Sequence, residues 1–384
     1  MTEKLYDQNS YIQEFEATVI SCTQTDNGYE IVLDKTAFFP TEGGQECDTG
    51  TLGGATVKAV EIVGDDIYHY TDIPLEAGAG VQGVIDFEER YRKMQNHSGE
   101  HIICGIAHKL HGCENVGFHL GADYVTMDLD KPLTEEELRH IEILANKAVY
   151  ANAEIKAYYP TKEELDATDF RSKDGIEGKV RLVEIEGFDI CACCAPHVAR
   201  AGEIGIIKIL DHINYKGGVR LNILCGMDAL KDYQERYKRN LYISNILSAK
   251  QEEVCPAMDK LMETVADLRR QLGEKSKEIT KLQLDSIQET EENIVIFTGD
   301  MSSGEMRHLA NGAMEKTPKL AAVFCGNDQE GYSYIIGSKT IDLKAHSADL
   351  NKALKGRGGG NSAMIQGSLG ATEDEIRGYI GTNF

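Results

Sequence analysis

No stretch of this 384-residue chain approaches the roughly 20 consecutive apolar residues that a membrane-spanning helix needs. The first residues, Met1-Thr2-Glu3-Lys4-Leu5-Tyr6-Asp7, have neither the basic nor the apolar region of a secretory leader. The expected location is the cytoplasm. Positive charge is also scarce: 40 Lys and Arg against 63 Asp and Glu leave a formal net charge of −23. That balance argues against a broad nucleic-acid-binding surface, so an RNA partner needs locally concentrated cations. Lys231, Arg236, Lys238 and Arg239, then Arg269, Arg270, Lys275 and Lys277, and then Lys344, Lys352, Lys355 and Arg357, are such stretches, although all three also read as solvated faces mixed with acids. The cysteines lack the pattern of a disulfide framework. Most are scattered and only Cys191, Cys193 and Cys194 cluster, which in a large intracellular protein signals metal or thiol chemistry.

With 41% hydrophobic and 27% charged residues the composition is soluble-globular, and the length calls for two to four domains. The expected class is α+β, in four parts. Residues 1–90 read as a small β-barrel, with alternation in Glu16–Ile20, Tyr29–Leu33, Val57–Val63 and Gly80–Asp86 and turns such as Asp26-Asn27-Gly28. At Glu88-Glu89-Arg90 the pattern becomes helical and runs towards His111. Residues 91–226 mix strands (Val125–Leu129, Lys179–Ile185, Glu203–Leu210) with a helix opened by the capping box at Thr134. Residues 227–290 read as helical with an interruption at Pro256. Leu261, Val265, Leu268, Leu272, Ile279 and Leu282 there form a coiled-coil or hairpin seam, the expected site of a homodimer. Residues 291–384 read as a last α/β domain, with strands at Asn293–Thr298, Leu320–Cys325 and Tyr332–Gly337.

Two pairs carry the chemistry. His97 and His101 are separated by three residues, and so are Cys193 and His197. On a helix such a pair shares one face, and three imidazoles with one thiolate form a set that Zn²⁺ takes in tetrahedral geometry. The ion is expected to join two elements far apart in sequence. Spacing selects Cys193 as the sulfur ligand, with Cys191 and Cys194 as thiols close enough to replace it. Glu100, between the histidines, orients a ligand, accepts a proton from water, or simply faces solvent.

Several segments together resemble a known family. Asp34–Gln45, with Thr36 and the Gly43-Gly44-Gln45 turn, followed by Asp48-Thr49-Gly50, is similar to a stretch of the alanyl-tRNA synthetase editing domain. Arg92–His101 and Asp189–His197 resemble that domain's two zinc motifs, and Lys355–Gly367 resembles the glycine-rich signature of the DHH-associated C-terminal domain. The order is preserved and covers almost the whole chain, which begins at the editing barrel. It looks like a freestanding editing protein of the AlaX type, long form. The resemblance implies a Zn-dependent hydrolase that removes the amino acid from mischarged tRNA(Ala), chiefly Ser-tRNA(Ala). No Asp-His-His triplet is present, which sets aside the phosphoesterases that share the C-terminal domain.

Gln45 and Glu100 then become catalytic candidates. Thr36 becomes a partner for a seryl hydroxyl, because a site that pairs a hydroxyl discriminates well against a substrate lacking one. His119 is a candidate cleft residue, and a loop with Lys355, Arg357, Gly358, Gly359 and Gly360 a candidate tRNA contact. One departure stands out: Cys193-Cys194-Ala195-Pro196-His197 replaces the usual Cys-Gly-Gly-Thr-His. The altered loop keeps two alternatives open, a non-catalytic zinc-stabilised tRNA-binding or adaptor protein and a deacylase acting on another tRNA.

Overall fold

The computed structural model describes residues 1–26, 28–121, 125–172 and 179–384, so the expected turn at Asp26-Asn27-Gly28 lies partly outside the described residues. These residues mix helices with several sheets and divide into two compact units, Met1–Tyr242 and Ile243–Phe384.

In the first unit, strands Glu14–Thr25, Gly28–Leu33, Asp66–Thr71, Ala55–Val63, Gly50–Leu52 and Gly80–Ile85 close in that order into a barrel. Alternation builds it: along Glu14–Thr25 the side chains of Phe15, Ala17 and Val19 turn inward while their neighbours stay exposed. Inside they meet Ile31, Leu33, Phe38, Leu52, Val60 and Ile67. The strand Asp66–Thr71 escapes the sequence pattern because polar His69 occupies one of its inward positions.

The barrel hands over to helix Phe87–His111, the histidine helix. Asp86 caps its start by accepting from the Glu89 amide, and Gly112, with φ of 62°, closes its end. Most of this helix is buried all round, including a polar run from Gln95 to His101 broken only by Gly99. Each of those groups needs a partner, because an unpaired buried polar group is costly. Beside the helix lie a four-stranded antiparallel sheet (Ile207–Tyr215, Gly218–Cys225, Val125–Leu129, Asn115–Leu120) and a three-stranded one (Ile155–Tyr158, Leu182–Ile185, Asp189–Ala192). Helix Glu135–Ala151 has the expected capping box at Thr134. The expected strand Glu203–Leu210 is instead a short 3-10 turn, Ala201–Ile204, followed by Ile207–Tyr215. Gly205, with φ of 80°, breaks the pattern between them.

Two long helices follow, Gly226–Leu247 and Val254–Ser286. The break between them falls at Ser248, whose φ is 50°, and not at Pro256. Pro256 sits in the first turn of the second helix, where its missing N–H is not needed. In the second unit a five-stranded sheet orders Ile294–Thr298, Leu320–Asn327, Gly331–Ser338, Met364–Leu369 and Arg357–Gly360. The expected glycine-rich loop is thus an edge strand, hydrogen-bonded to Met364–Leu369. Its glycines permit close pairing, since a Cβ at Gly358 would lie 2.3 Å from the Gln366 carbonyl oxygen.

Candidate metal centre

His97 and His101 stand one turn apart on the histidine helix, as their spacing predicts. Cys193 and His197 reach them from an irregular loop after strand Asp189–Ala192, not from a second helix. Arg181 shapes that loop: its Nη1 donates to the carbonyls of Cys193 and Ala195 at 3.0 and 2.9 Å, and the Cys193 amide donates back to the Arg181 carbonyl at 3.0 Å. Gly105 lets the helix come close enough. A Cβ there would meet the Asp189 Cβ and the Phe188 carbonyl oxygen at 2.6 Å.

The four side chains offer ligand atoms that all lie within 4.8 Å of one another. Cys193 Sγ is 3.6 Å from His97 Nε2 and 3.4 Å from His197 Nε2. The opposite nitrogens face partners: His97 Nδ1 is 2.8 Å from Gln45 Oε1, His197 Nδ1 is 3.0 Å from Ser98 Oγ, and His101 Nδ1 is 3.4 Å from Asp189 Oδ2. The last is an ion-pair distance without hydrogen-bond alignment. Arg171 holds Asp189 in turn through a fork at 2.8 and 2.7 Å. Outer partners of this kind fix imidazole tautomer and orientation around an ion. The donor set fits Zn²⁺: three nitrogens and one sulfur, with Cys193 as the sulfur within reach of the histidines. Cys191 groups instead with His101 and Asp189.

The four groups differ in their electrostatics. Burial opposes ionisation of the Cys193 thiol, yet the imidazoles of His97 and His197 hold it well below the ordinary thiol range. Burial lowers His197 to about 3 despite the pull of Cys193, which leaves its imidazole neutral. Cys191 is pushed up to about 11, chiefly by burial, and stays a thiol. His101, against its burial, is held well above the ordinary imidazole range by Asp189 and Cys193, so an ion bound there would displace its proton.

The remaining candidates separate. Gln45 is buried and touches His97, presented by a turn in which Gly43 and Gly44 have φ of 64° and 86°. Its Nε2 has no hydrogen-bond partner among the described residues. Glu100 is buried, not solvent-facing; its Oε1 accepts from Cys104 Sγ and Asn115 Nδ2, and its Oε2 is 4.0 Å from His101 Nε2. Thr36 is not brought into the cleft. Its hydroxyl is fully buried in the barrel, 2.8 Å from His69 Nε2 and accepting from the Phe38 amide. His119 is also elsewhere: strand alternation exposes it and turns Phe118 to the site, with ring centroids of Phe118 and His97 4.6 Å apart. Lys355, Arg357, Gly358, Gly359 and Gly360 belong to the second unit. Sequence reasoning missed Asn115, Phe118, Arg171 and Asp189, whose roles depend on contacts across the fold.

A cavity of about 390 Å³ opens over the cluster, lined among others by His97, Glu100, His101, Phe118, Tyr159 and Cys193.

Residues 180–222 match the family described as threonyl and alanyl tRNA synthetase second additional domain. The alanine–tRNA ligase of Pyrococcus abyssi is 31% identical over 96% of this chain and 42% of the ligase. The chain therefore spans about two fifths of the length of the ligases it matches. The alanyl-tRNA editing proteins Aarsd1-A of Xenopus laevis and Aarsd1 of Mus musculus are 26% and 25% identical, each over 94% of this chain, with 92% and 93% of those proteins covered. A solved C-Ala domain of Aquifex aeolicus alanyl-tRNA synthetase aligns with 23% of the chain at 24% identity and a TM-score of 0.20, too low to bear on fold. Along nearly its whole length, then, the chain is homologous to the alanyl-tRNA synthetases and the alanyl-tRNA editing proteins.

Proposed function

We propose that this chain is an editing deacylase that hydrolyses the ester of tRNA(Ala) charged with the wrong amino acid, Ser-tRNA(Ala) foremost, with Zn²⁺ held by His97, His101, Cys193 and His197. The observation that carries the reading is the cluster itself, each histidine facing an outer partner beneath a cavity. The names of the editing proteins that match over nearly their full length support the substrate class. When bound by these four residues, Zn²⁺ would supply a Lewis acid to polarise the ester by adding a fifth ligand to its four protein ones.

The chain's own groups do the rest. His97 would hold the ion with the ring nitrogen that faces Cys193, so a proton on Nδ1 would be donated to Gln45 Oε1 and fix the amide. Gln45 Nε2 is then a spare buried donor for the oxyanion of the tetrahedral intermediate. Leaving such a donor unpaired costs about 1–3 kcal/mol, which a transition-state oxygen recovers. Glu100 takes the proton of the attacking water on Oε2 and returns it to the departing ribose oxygen, while Cys104 and Asn115 hold Oε1 still. Thr36 acts as a positioning residue, tying His69 to the Phe38–Phe39 segment that leads into the Gln45 turn. His119 has no role in this reading. In the second unit, Lys355, Arg357 and the edge strand Gly358–Gly360 are assigned to tRNA contact, and the stripe on Val254–Ser286 to a second copy of the chain.

The test is deacylation of labelled Ser-tRNA(Ala) and Ala-tRNA(Ala), before and after chelation. Chelator-sensitive loss of serine with alanine spared is the expected result, and absence of turnover by a zinc-loaded sample would overturn the reading. The altered Cys194-Ala195-Pro196 loop favours one second reading, action on another tRNA, which a panel of charged tRNAs separates.

A further inference from the structure

The deacylase reading assigns the bottom of the cavity and leaves its rim unexplained. Tyr159 stands there, 39% exposed, directly after strand Ile155–Tyr158. Its hydroxyl donates to Asp7 Oδ2 at 2.8 Å, and Asp7 Oδ1 is 3.6 Å from Arg181 Nε. Arg181 is the residue that shapes the Cys193 loop, so the ring is tied to the metal centre by two links. The Lys179 ammonium lies 4.3 Å from the centroid of the ring. Lys4 lines the same cavity. Among the described residues neither Lys4 nor Lys179 makes an ion pair with a carboxylate. In a chain with net charge −23, two ammonium groups in one cavity with no carboxylate partner among the described residues, together with an exposed aromatic ring, call for a ligand with a flat ring and an anion.

We infer that Tyr159, Lys179 and Lys4 form a seat for the 3′-terminal nucleotide of the substrate: its base stacks on Tyr159 and its phosphate is met by Lys179 and Lys4. Naming this nucleotide as the end of a charged tRNA rests on the deacylase reading; the chemistry of the seat does not. Among the described residues Lys179 has a cation–π contact with the ring and no ion pair, so its move to a phosphate frees the ring face for the base. The cavity is within the roughly 300–1,000 Å³ of small-molecule sites, room for a nucleoside beyond the amino acid. Stacking tolerates any base, so the seat positions the ester over the metal centre without reading sequence, and tRNA identity must come from elsewhere.

Equilibrium binding of AMP and of adenosine to the zinc-loaded full chain tests this by calorimetry, with Tyr159→Phe, Tyr159→Leu and Lys179→Gln variants whose circular dichroism matches the parent. AMP should bind the parent, with Tyr159→Phe close to it. Loss of the π face in Tyr159→Leu should weaken AMP and adenosine alike, by roughly 5- to 150-fold. Lys179→Gln should weaken AMP several-fold, leave adenosine unchanged, and flatten the salt dependence of AMP binding. Equal AMP affinity in the parent and Tyr159→Leu, or no AMP binding by the parent at millimolar concentrations, would overturn the inference. Deacylation of Ser-tRNA(Ala) measured on the same samples keeps the two ideas apart. Turnover without a Tyr159-dependent AMP site sinks the seat alone, and a Tyr159-dependent AMP site without turnover sinks the deacylase alone.

Discussion

Replacing Asp48 with alanine should cost this protein about 3–5 kcal/mol, a large share of a typical domain's stability. Arg90 is fully buried in the first turns of the histidine helix, and its partner Asp48 is 1% exposed. Arg90 Nε lies 2.9 and 3.0 Å from the two Asp48 oxygens, its Nη2 also contacts Asp48, and Nη1 and Nη2 donate to the carbonyls of Ser10 and Ala37. Asp48 Oδ2 also accepts from the Phe39 amide at 2.6 Å. Asp48→Ala therefore leaves a guanidinium without its counter-charge and orphans a buried amide. The two surviving carbonyls relieve part of the charge penalty, and the orphaned amide adds about 1–3 kcal/mol. Replacing the pair together, Asp48→Leu with Arg90→Met, removes both charges at similar volume and should recover more than half of the loss. Urea unfolding followed by far-UV circular dichroism measures it, because the chain has no tryptophan to report. Amide exchange at Phe39 and Arg90 localises the effect. A single variant within 1 kcal/mol of the parent, or a double variant no better than it, would refute the reasoning. The pair also joins the turn that carries Gln45 to the helix that carries His97, so Asp48→Ala should lower zinc affinity although Asp48 touches no ligand.

The other expectations are simpler to read. His97→Ala or Cys193→Ala should abolish stoichiometric zinc measured by inductively coupled plasma mass spectrometry, whereas Cys191→Ser should retain it. Gln45→Ala should keep its zinc and lose roughly 10²–10³-fold in deacylation, the usual effect of removing an oxyanion donor; unchanged turnover would remove Gln45 from the mechanism. Burial holds His69 at about 4, below the ordinary 6.5, so only the unfolded chain takes up a proton between those values. Stability is full above pH 6.5 and declines as pH falls towards 4, by about 3 kcal/mol from this residue; a His69→Gln variant should show a flatter profile in urea titrations at pH 7 and pH 4. On the helix Val254–Ser286, Leu268, Leu272, Ile279 and Leu282 are 56–71% exposed. If a second copy covers them, Leu272→Asp should lower the sedimenting mass without changing zinc content.

Local chemistry determined what could be read without the fold. The inward alternation of Ala17 and Val19, the capping box at Thr134, and the i, i+4 spacing of His97 and His101 involve interactions between near neighbours, and all of them appear as their sequence pattern predicts. Cys193 and His197 were legible as candidate ligands by residue type, but their irregular loop depends on Arg181, whose contacts belong to no local pattern. Thr36 and His119 mark the limit. Each lies in a motif that points to the site, and only strand register and barrel packing decide which way each side chain faces. Register also places Phe118, and not its neighbour, against His97. The glycine run after Gly356 became an edge strand because the backbone of Met364–Leu369 was there to pair with it. The donor set was written in residue types at near spacing. The partners Asp189, Ser98 and Gln45 of its histidines were settled by long-range packing, whose energetics depend on which surfaces meet.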